Sequence, residues 1–220
     1  MIPKTLAGRR AFILENTRLQ HPPHTPELSL YLADEITPIW RMTEEALEEI
    51  GLPPPFWAFA WAGGQAVARY ILDNPQIVMS KRVIDFASGS GIVGIAAMQA
   101  GASHVLAADI DSFCGAALSL NARANGVEVA YTDANLLDAE DVDAEVILAG
   151  DICYEKPMTD QVMAWLTTAR DRGATVLIGD PGRSYFPKSG LTKLAEYQVT
   201  TTREIEDMAV KKTCVWTLAD

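Results

Sequence analysis

Basic residues are scarce in this chain. Eighteen lysines and arginines stand against 29 aspartates and glutamates in 220 residues, a formal net charge of −11. A surface that tracks phosphates needs the opposite balance, so nucleic acid is a poor partner. A basic partner, such as a lysine-rich protein surface, fits better. Cysteine is also sparse: Cys114, Cys153 and Cys214 are far apart, odd in number and form no C-x-x-C pair. They read as reduced thiols in a reducing compartment. No metal site is expected either. His21 and His24 flank Pro22-Pro23, which breaks any helix that would set both on one face, and His104 has no evident partner. No apolar run is long and uninterrupted enough to span a bilayer, and no secretory signal is visible. Arg9, Arg10 and Arg18 alternate with apolar residues near the start, but Glu15 and the shortage of serine argue against a transit peptide. The expectation is a soluble, cytoplasmic protein that binds no membrane, with enough chain for one domain and a full core.

What is present is a strand, a glycine loop and a helix in succession. The run Val83-Ile84-Asp85-Phe86 leads into Ala87-Ser88-Gly89-Ser90-Gly91 and then into Ile92-Val93-Gly94-Ile95-Ala96-Ala97. This is the first half of a nucleotide-binding βαβ unit. Gly89 and Gly91 let the backbone approach a ligand where a Cβ would intrude, and the helix behind them opens with unpaired N–H groups. Glycines at 89, 91 and 94 satisfy G-x-G-x-x-G, so a dinucleotide is one reading. Asp85 argues for another. A carboxylate four residues before Gly89 repels a pyrophosphate, whereas it attracts the ammonium group of S-adenosylmethionine (SAM), directly or through water.

Downstream, residues 104–108 read as a second strand that ends at Asp109-Ile110. An acid there can bind both ribose hydroxyls, in NAD enzymes as well as in SAM enzymes. Ser112 is expected to cap a helix over 113–125. A third strand, 129–132, precedes Asp133-Ala134, where the carboxylate can accept from an adenine amino group and the next N–H can reach a ring nitrogen. A fourth strand over 145–149 runs into Gly150-Asp151-Ile152-Cys153-Tyr154, at the carboxyl edge where α/β sheets place ligands and chemistry. A helix follows over 158–172, then a buried strand over 174–179. Asp180-Pro181-Gly182-Arg183 is a tight turn in which Arg183 has two readings, substrate contact and turn stabilisation. The spacing predicts a helix over 188–196 and an antiparallel hairpin from 197–205 and 211–218, joined by an acidic turn. Upstream, helices are expected near 5–19 and over 43–50, the latter capped by Thr43 and ended by Gly51. Three prolines, 53–55, then fix an extended entry into Phe56-Trp57-Ala58-Phe59-Ala60-Trp61-Ala62-Gly63-Gly64, ahead of a helix over 65–72.

Several of these stretches resemble one family. Asp85-x-Ala87-x-Gly89-x-Gly91 resembles motif I of class I SAM-dependent methyltransferases, with Ala87 where glycine is more usual. The Phe56-Trp57…Trp61-x-Gly63-Gly64 segment resembles the pre-motif of the methyltransferases that modify lysines of non-histone proteins, with Ala62 where proline is more usual. Asp151-Ile152-Cys153-Tyr154 resembles the D-x-x-Y motif of methyltransferase family 16. Gly150-Asp151 and the Gly179-Asp180-Pro181-Gly182-Arg183 run resemble its branch that modifies the β subunit of electron-transfer flavoprotein (ETF). Cys153 departs from the aromatic often found there, which would alter the lysine channel.

The resemblance covers roughly residues 56–218. It implies an α/β, Rossmann-like class I fold: a central, mostly parallel seven-stranded sheet with a C-terminal antiparallel hairpin and helices on both faces. Residues 53–220 would form the methyltransferase domain, and 1–52 a helical extension for substrate recognition or a lid. It further implies SAM as cofactor and S-adenosylhomocysteine as product. The implied SAM-binding set is Trp57, Trp61, Asp85, Ala87, Ser88, Gly89, Gly91, Asp109, Ile110, Asp133, Ala134 and Gly150. Asp151 and Tyr154 are the implied catalytic pair. They would either hold and orient a lysine amine together, or divide the work, Asp151 holding the SAM amino group and Tyr154 facing the lysine. Other readings are methylation of a small amine or of another protein such as a ribosomal one, and a non-catalytic SAM binder. An NAD-linked oxidoreductase is more remote, because both Asp85 and the terminal hairpin oppose it.

Overall fold

The apolar strands alternate, and that alternation sets where the core lies. A computed structural model describes residues 3–34, 54–139, 142–201 and 210–219. In β3 (Arg82–Phe86) and β6 (Val146–Gly150), Val83, Val146 and Leu148 face one side of the sheet, while Ile84, Ile147 and Ala149 face the other. β7 (Thr175–Asp180) divides in the same way, Leu177 to one side and Val176 and Ile178 to the other. Strands buried on both faces read as continuous apolar runs, and helices must cover each side.

With β4 (His104–Ala108), β5 (Ala130–Thr132), β8 (Leu191–Thr200) and β9 (Val210–Leu218), the sheet has seven strands in the order β5-β4-β3-β6-β7-β9-β8. The first five in that order pair in parallel, while β9 runs antiparallel between β7 and β8. On one face lie α2 (Ala62–Asp73), α3 (Ile92–Gln99) and the Leu118 and Ala122 side of α4 (Ser112–Ala124). On the other lies α5 (Lys156–Asp171), through Val162, Leu166 and Ala169. The parallel register aligns the carboxyl ends of β3, β4 and β6, pairing Phe86 with both Ala108 and Ala149. The order of strands reverses between β3 and β6, the place where open α/β sheets leave a crevice for ligands. The expected fold is therefore the observed one.

Three local expectations need correction. The residues from 188 to 196 form no helix. From Leu191 on they open β8, whose inward positions Ala195, Tyr197 and Val199 alternate, and which pairs with β9 through a register shift between Lys193 and Ala195. Helix-forming leucine, lysine and glutamate are outweighed there by a long cross-strand ladder. Asp111, not Ser112, caps α4: its carboxylate accepts from the Phe113 N–H at 2.9 Å, and Ser112 is the first helical residue. The N-terminal segment is only partly helical. After α1 (Leu6–Asn16), β1 (Arg18–Gln20) and β2 (Leu30–Leu32) form a two-stranded antiparallel sheet. Asn121 and Asn125 of α4 satisfy its free backbone groups at Tyr31 and Ser29. Leu28, Leu30 and Leu32 belong to the main core. The helix expected over 43–50 and the acidic turn of the hairpin lie outside the described residues.

Candidate active site

The loop after β3 turns on residues with positive φ: Ala87 (54°), Gly89 (50°) and Gly91 (80°), the last of which caps α3. A side chain at Gly91 would collide with Leu118. Ala87 tolerates a left-handed conformation that L-residues seldom adopt, so the loop is held in shape from outside. Asp109, at the end of β4, does much of that holding. Its Oδ2 accepts from the Gly89 N–H at 2.9 Å and its Oδ1 from the Asp111 N–H at 3.0 Å. Tyr131 braces the same corner. Its hydroxyl donates to the Asp109 and Asp111 carbonyls, with its ring lying where Gly115 leaves room.

Asp85 is fully enclosed. It accepts from the Gly94 N–H at 2.8 Å, and burial first, then the charge of Asp109, pushes its carboxyl up to about 8. It also borders a cleft lined by Phe59, Trp61, Gly64, Ala87, Ser88, Gly89, Ser90, Ile92, Val93 and Gly150. Ser88 is buried, and its hydroxyl has no hydrogen-bond partner among the described residues. Beyond the rim, Ile110 is 75% exposed, an isolated apolar surface beside Asp109. Asp133 and Ala134 are exposed, and the Ala134 N–H is engaged by the Thr132 hydroxyl at 3.1 Å. The two tryptophans separate. Trp61 borders the cleft and donates to the Phe56 carbonyl at 3.0 Å. Trp57 is buried away from it, stacked on Phe113 of α4 at 5.7 Å within a second core that also holds Ile13 and Ala33. The tight turn over Phe56–Ala58 sends the neighbouring aromatics in different directions.

Asp151 follows β6 with φ of 58° and is buried. Its Oδ2 accepts from the Gly63 N–H at the start of α2. Its Oδ1 accepts from Arg183 Nε at 3.0 Å and Nη2 at 2.7 Å. Both oxygens of this acid are thus engaged. Burial pushes its carboxyl upward, while the Arg183 guanidinium and the α2 N–H groups pull the other way. This closeness depends on glycine. A Cβ on Gly150 would lie 2.6 Å from the Gly64 nitrogen, and Cβ atoms on Gly63 or Gly179 would run into each other's carbonyls. The start of α2 therefore lies backbone against backbone on the ends of β6 and β7. Sequence reading placed Gly63 and Gly64 before the helix, whereas they lie in its first turn, where N–H groups have no helical acceptor. The Asp151–Arg183 pair, the Gly179 contact and Tyr131 were not read as site features. The available signal was Gly-Asp recurring at the ends of two strands, since Gly150 and Gly179 are register partners.

Tyr154, three residues on, is 48% exposed, and its ring lies 5.6 Å from that of Phe56. Burial of part of the ring and the charges of Asp109 and Glu155 raise its hydroxyl. The two aromatics form a rim, with Trp61 reached through Phe56 at 5.8 Å. The site therefore joins an enclosed, acid-lined cleft to an aromatic mouth beside a buried carboxylate. Of the residues expected to bind cofactor, the structure gathers Trp61, Asp85, Ala87, Ser88, Gly89 and Gly150 along one cleft. It sets Gly91, Asp109, Ile110, Asp133 and Ala134 around the loop and the neighbouring strand ends, and it places Trp57 apart.

The chain is similar in sequence and fold to several methyltransferases. The ribosomal protein L11 methyltransferase (PrmA) family model matches residues 69–168. The structure is similar to that of the ribosomal protein L11 methylase from Lactobacillus delbrueckii subsp. bulgaricus, with a TM-score of 0.50 and 19% identity over 72% of this chain and 79% of that one. Magnesium protoporphyrin IX methyltransferase from Synechocystis PCC 6803, crystallised with SAM, gives a TM-score of 0.51 and 14% identity over 71% and 78%. These likenesses concern the fold. The electron transfer flavoprotein beta subunit lysine methyltransferase of Xenopus laevis is 38% identical over 94% of this chain and 85% of its own length. The human protein of that name is 36% identical over 94% and 80%. With that identity along almost its whole length, the chain belongs to the family of electron transfer flavoprotein beta subunit lysine methyltransferases.

Proposed function

We propose that this protein transfers methyl groups from SAM to lysine side chains of the ETF β subunit. The observation that carries the reading is the sequence of residues at the end of β6: Gly150 lines the glycine-loop cleft, the buried Asp151 follows it, and Tyr154 stands half-exposed three residues on. The cleft suits SAM. The loop of left-handed residues leaves backbone room, Asp85 becomes a carboxylate by giving up its proton when an ammonium group comes beside it, and the Ser88 hydroxyl, without a partner among the described residues, is available to a polar ligand atom. Asp109 retains lone pairs for ribose hydroxyls after its two N–H contacts, and exposed Ile110 offers an apolar surface for adenine. Bound SAM supplies an electrophilic methyl group on a sulfonium.

The chain's own residues must deliver a neutral amine to it. A lysine ammonium, with a pKa of about 10.4, has no lone pair to offer. Phe56 and Tyr154 form an aromatic entrance that accepts an aliphatic stem and stabilises a cation over ring faces. The Tyr154 hydroxyl accepts a hydrogen bond from the amine, and the fixed charge of the buried Asp151 orients it, while water removes the proton. Holding the amine in line supplies much of the remaining acceleration. The test is intact-mass measurement of purified ETF β after incubation with this protein and SAM. A gain of whole methyl groups, lost with Asp151→Ala, supports the reading. No gain, in a preparation that binds SAM, overturns the substrate.

A further inference from the structure

We propose that Arg183 is a positioning residue for methyl transfer, holding the Asp151 carboxylate charged and in a fixed plane through a clamp between that acid and the face of Trp61. This rests on the reading of Asp151 as a substrate-orienting acid. The clamp has three parts. Arg183 gives two N–H donors to one oxygen of Asp151, at 3.0 and 2.7 Å. Its guanidinium carbon lies 5.8 Å from the centre of the Trp61 ring. Its backbone is anchored by Asp180, whose Oδ1 accepts from the Gly182 N–H at 2.6 Å and the Arg183 N–H at 2.8 Å. A surface arginine that merely neutralised charge would need neither a prebuilt turn nor an aromatic bed. Here the turn sends the side chain back across the end of β7 to the residue that follows the adjacent strand, β6.

The two oxygens of Asp151 face different surroundings. Oδ2 points into the backbone of α2, where no side chain intrudes. Oδ1 is the oxygen that faces a side chain, and that side chain is a cation with 22% of its surface exposed. The two guanidinium N–H groups take both lone-pair sites of Oδ1, so the clamp fixes the plane of the carboxylate, and an incoming lysine ammonium is drawn by the carboxylate's charge. Burial is what opposes the charge of Asp151. Of the titratable groups near it, the Asp180 carboxylate is raised by burial and by Asp151 itself, the Cys153 thiol is pushed up by burial to about 12 and so carries no charge, and α2 presents only backbone N–H groups. Arg183 is the cation that the geometry sets against that burial. Removing one partner of a buried pair leaves the other charge uncompensated, so without Arg183 the acid takes up a proton at higher pH.

Arg183→Gln and Arg183→Lys test this in the full-length protein. The first readout needs no catalysis: carboxyl-carbon NMR of protein labelled with ¹³C at aspartate, the Asp151 signal being assigned with Asp151→Asn. Arg183→Gln is expected to move the Asp151 titration upward by about one pH unit, and Arg183→Lys to restore most of the shift. The second readout is the pH profile of methylation of ETF β. Arg183→Gln is expected to lower kcat about tenfold at pH 7 with little change in SAM affinity, to move the acidic limb upward and to regain rate at higher pH. Arg183→Lys recovers the limb. An Asp151 titration unchanged in Arg183→Gln overturns the inference, as do two variants equally slow with the wild-type limb. A shifted titration alongside full activity in Asp151→Asn leaves the clamp in place and removes instead the role assigned to Asp151.

Discussion

Two tryptophans four residues apart show how differently neighbouring residues can be employed. Trp57 is 2% exposed and stacked on Phe113 in the core that joins α1 to α4. Trp57→Ala is expected to cost roughly 3–5 kcal/mol in urea unfolding, with SAM affinity of the folded fraction unchanged. Trp61, at the cleft, is expected to behave in reverse: Trp61→Ala weakens SAM binding in calorimetry several-fold while moving stability far less. The sequence distinguished Trp61 by its place beside Gly63-Gly64, but it gave no means of separating Trp57, because a one-turn segment sends consecutive side chains to opposite sides. Asp85, Gly89 and Asp109 were legible for a firmer reason. Each ends a strand or opens a turn in a fold where those ends converge. The Asp151–Arg183 pair was not legible. Thirty-two residues separate the partners, and only the parallel register of β6 and β7 brings them together.

Among the elements, α2 is the most tightly set. Its first turn touches the ends of β6 and β7 with no side chain between, and Asp151 accepts from its N-terminus, where a negative charge is favoured. Gly179→Ala places a methyl group against the Gly63 carbonyl. Overpacking against backbone is expected to cost about 3 kcal/mol or more, read as a lower midpoint in thermal unfolding, together with loss of methylation in the protein that remains folded. The parallel strands could be read in advance because they are short continuous apolar runs bounded by turn residues, and the terminal hairpin because its two segments are rich in strand-forming residues. The start of β8 could not. Its composition favours helix, and pairing with β9 decides against it.

For the whole molecule, charge is the governing property. Asp85 ionises in the unfolded chain near its ordinary value of 3.8 but keeps its proton in the folded protein up to about 8. Between those values the unfolded state binds fewer protons, so this group lowers stability as pH rises, and it does so across that window. Wild-type protein without ligand is expected to show this decline in its melting temperature, and Asp85→Asn to flatten it. A steeper loss in the variant would contradict the assignment. The net charge of −11 makes a second prediction. Association with a basic protein surface weakens as salt screens it, so KM for ETF β should rise between low and physiological ionic strength while kcat holds steady. The bare contact of α2 with the strand ends carries a consequence for comparing relatives. A loop like Gly89-Ser90-Gly91 accompanies many chemistries, whereas glycine at 63, 150 and 179 together is needed only where a helix must lie close enough for its N–H groups to reach the acid after β6. A related chain with alanine at any of these positions has to lift that helix, so it must compensate its acid by another route. Those three positions, rather than the nucleotide loop, are therefore expected to separate relatives that hold the helix this close to the acid from those that share only the fold.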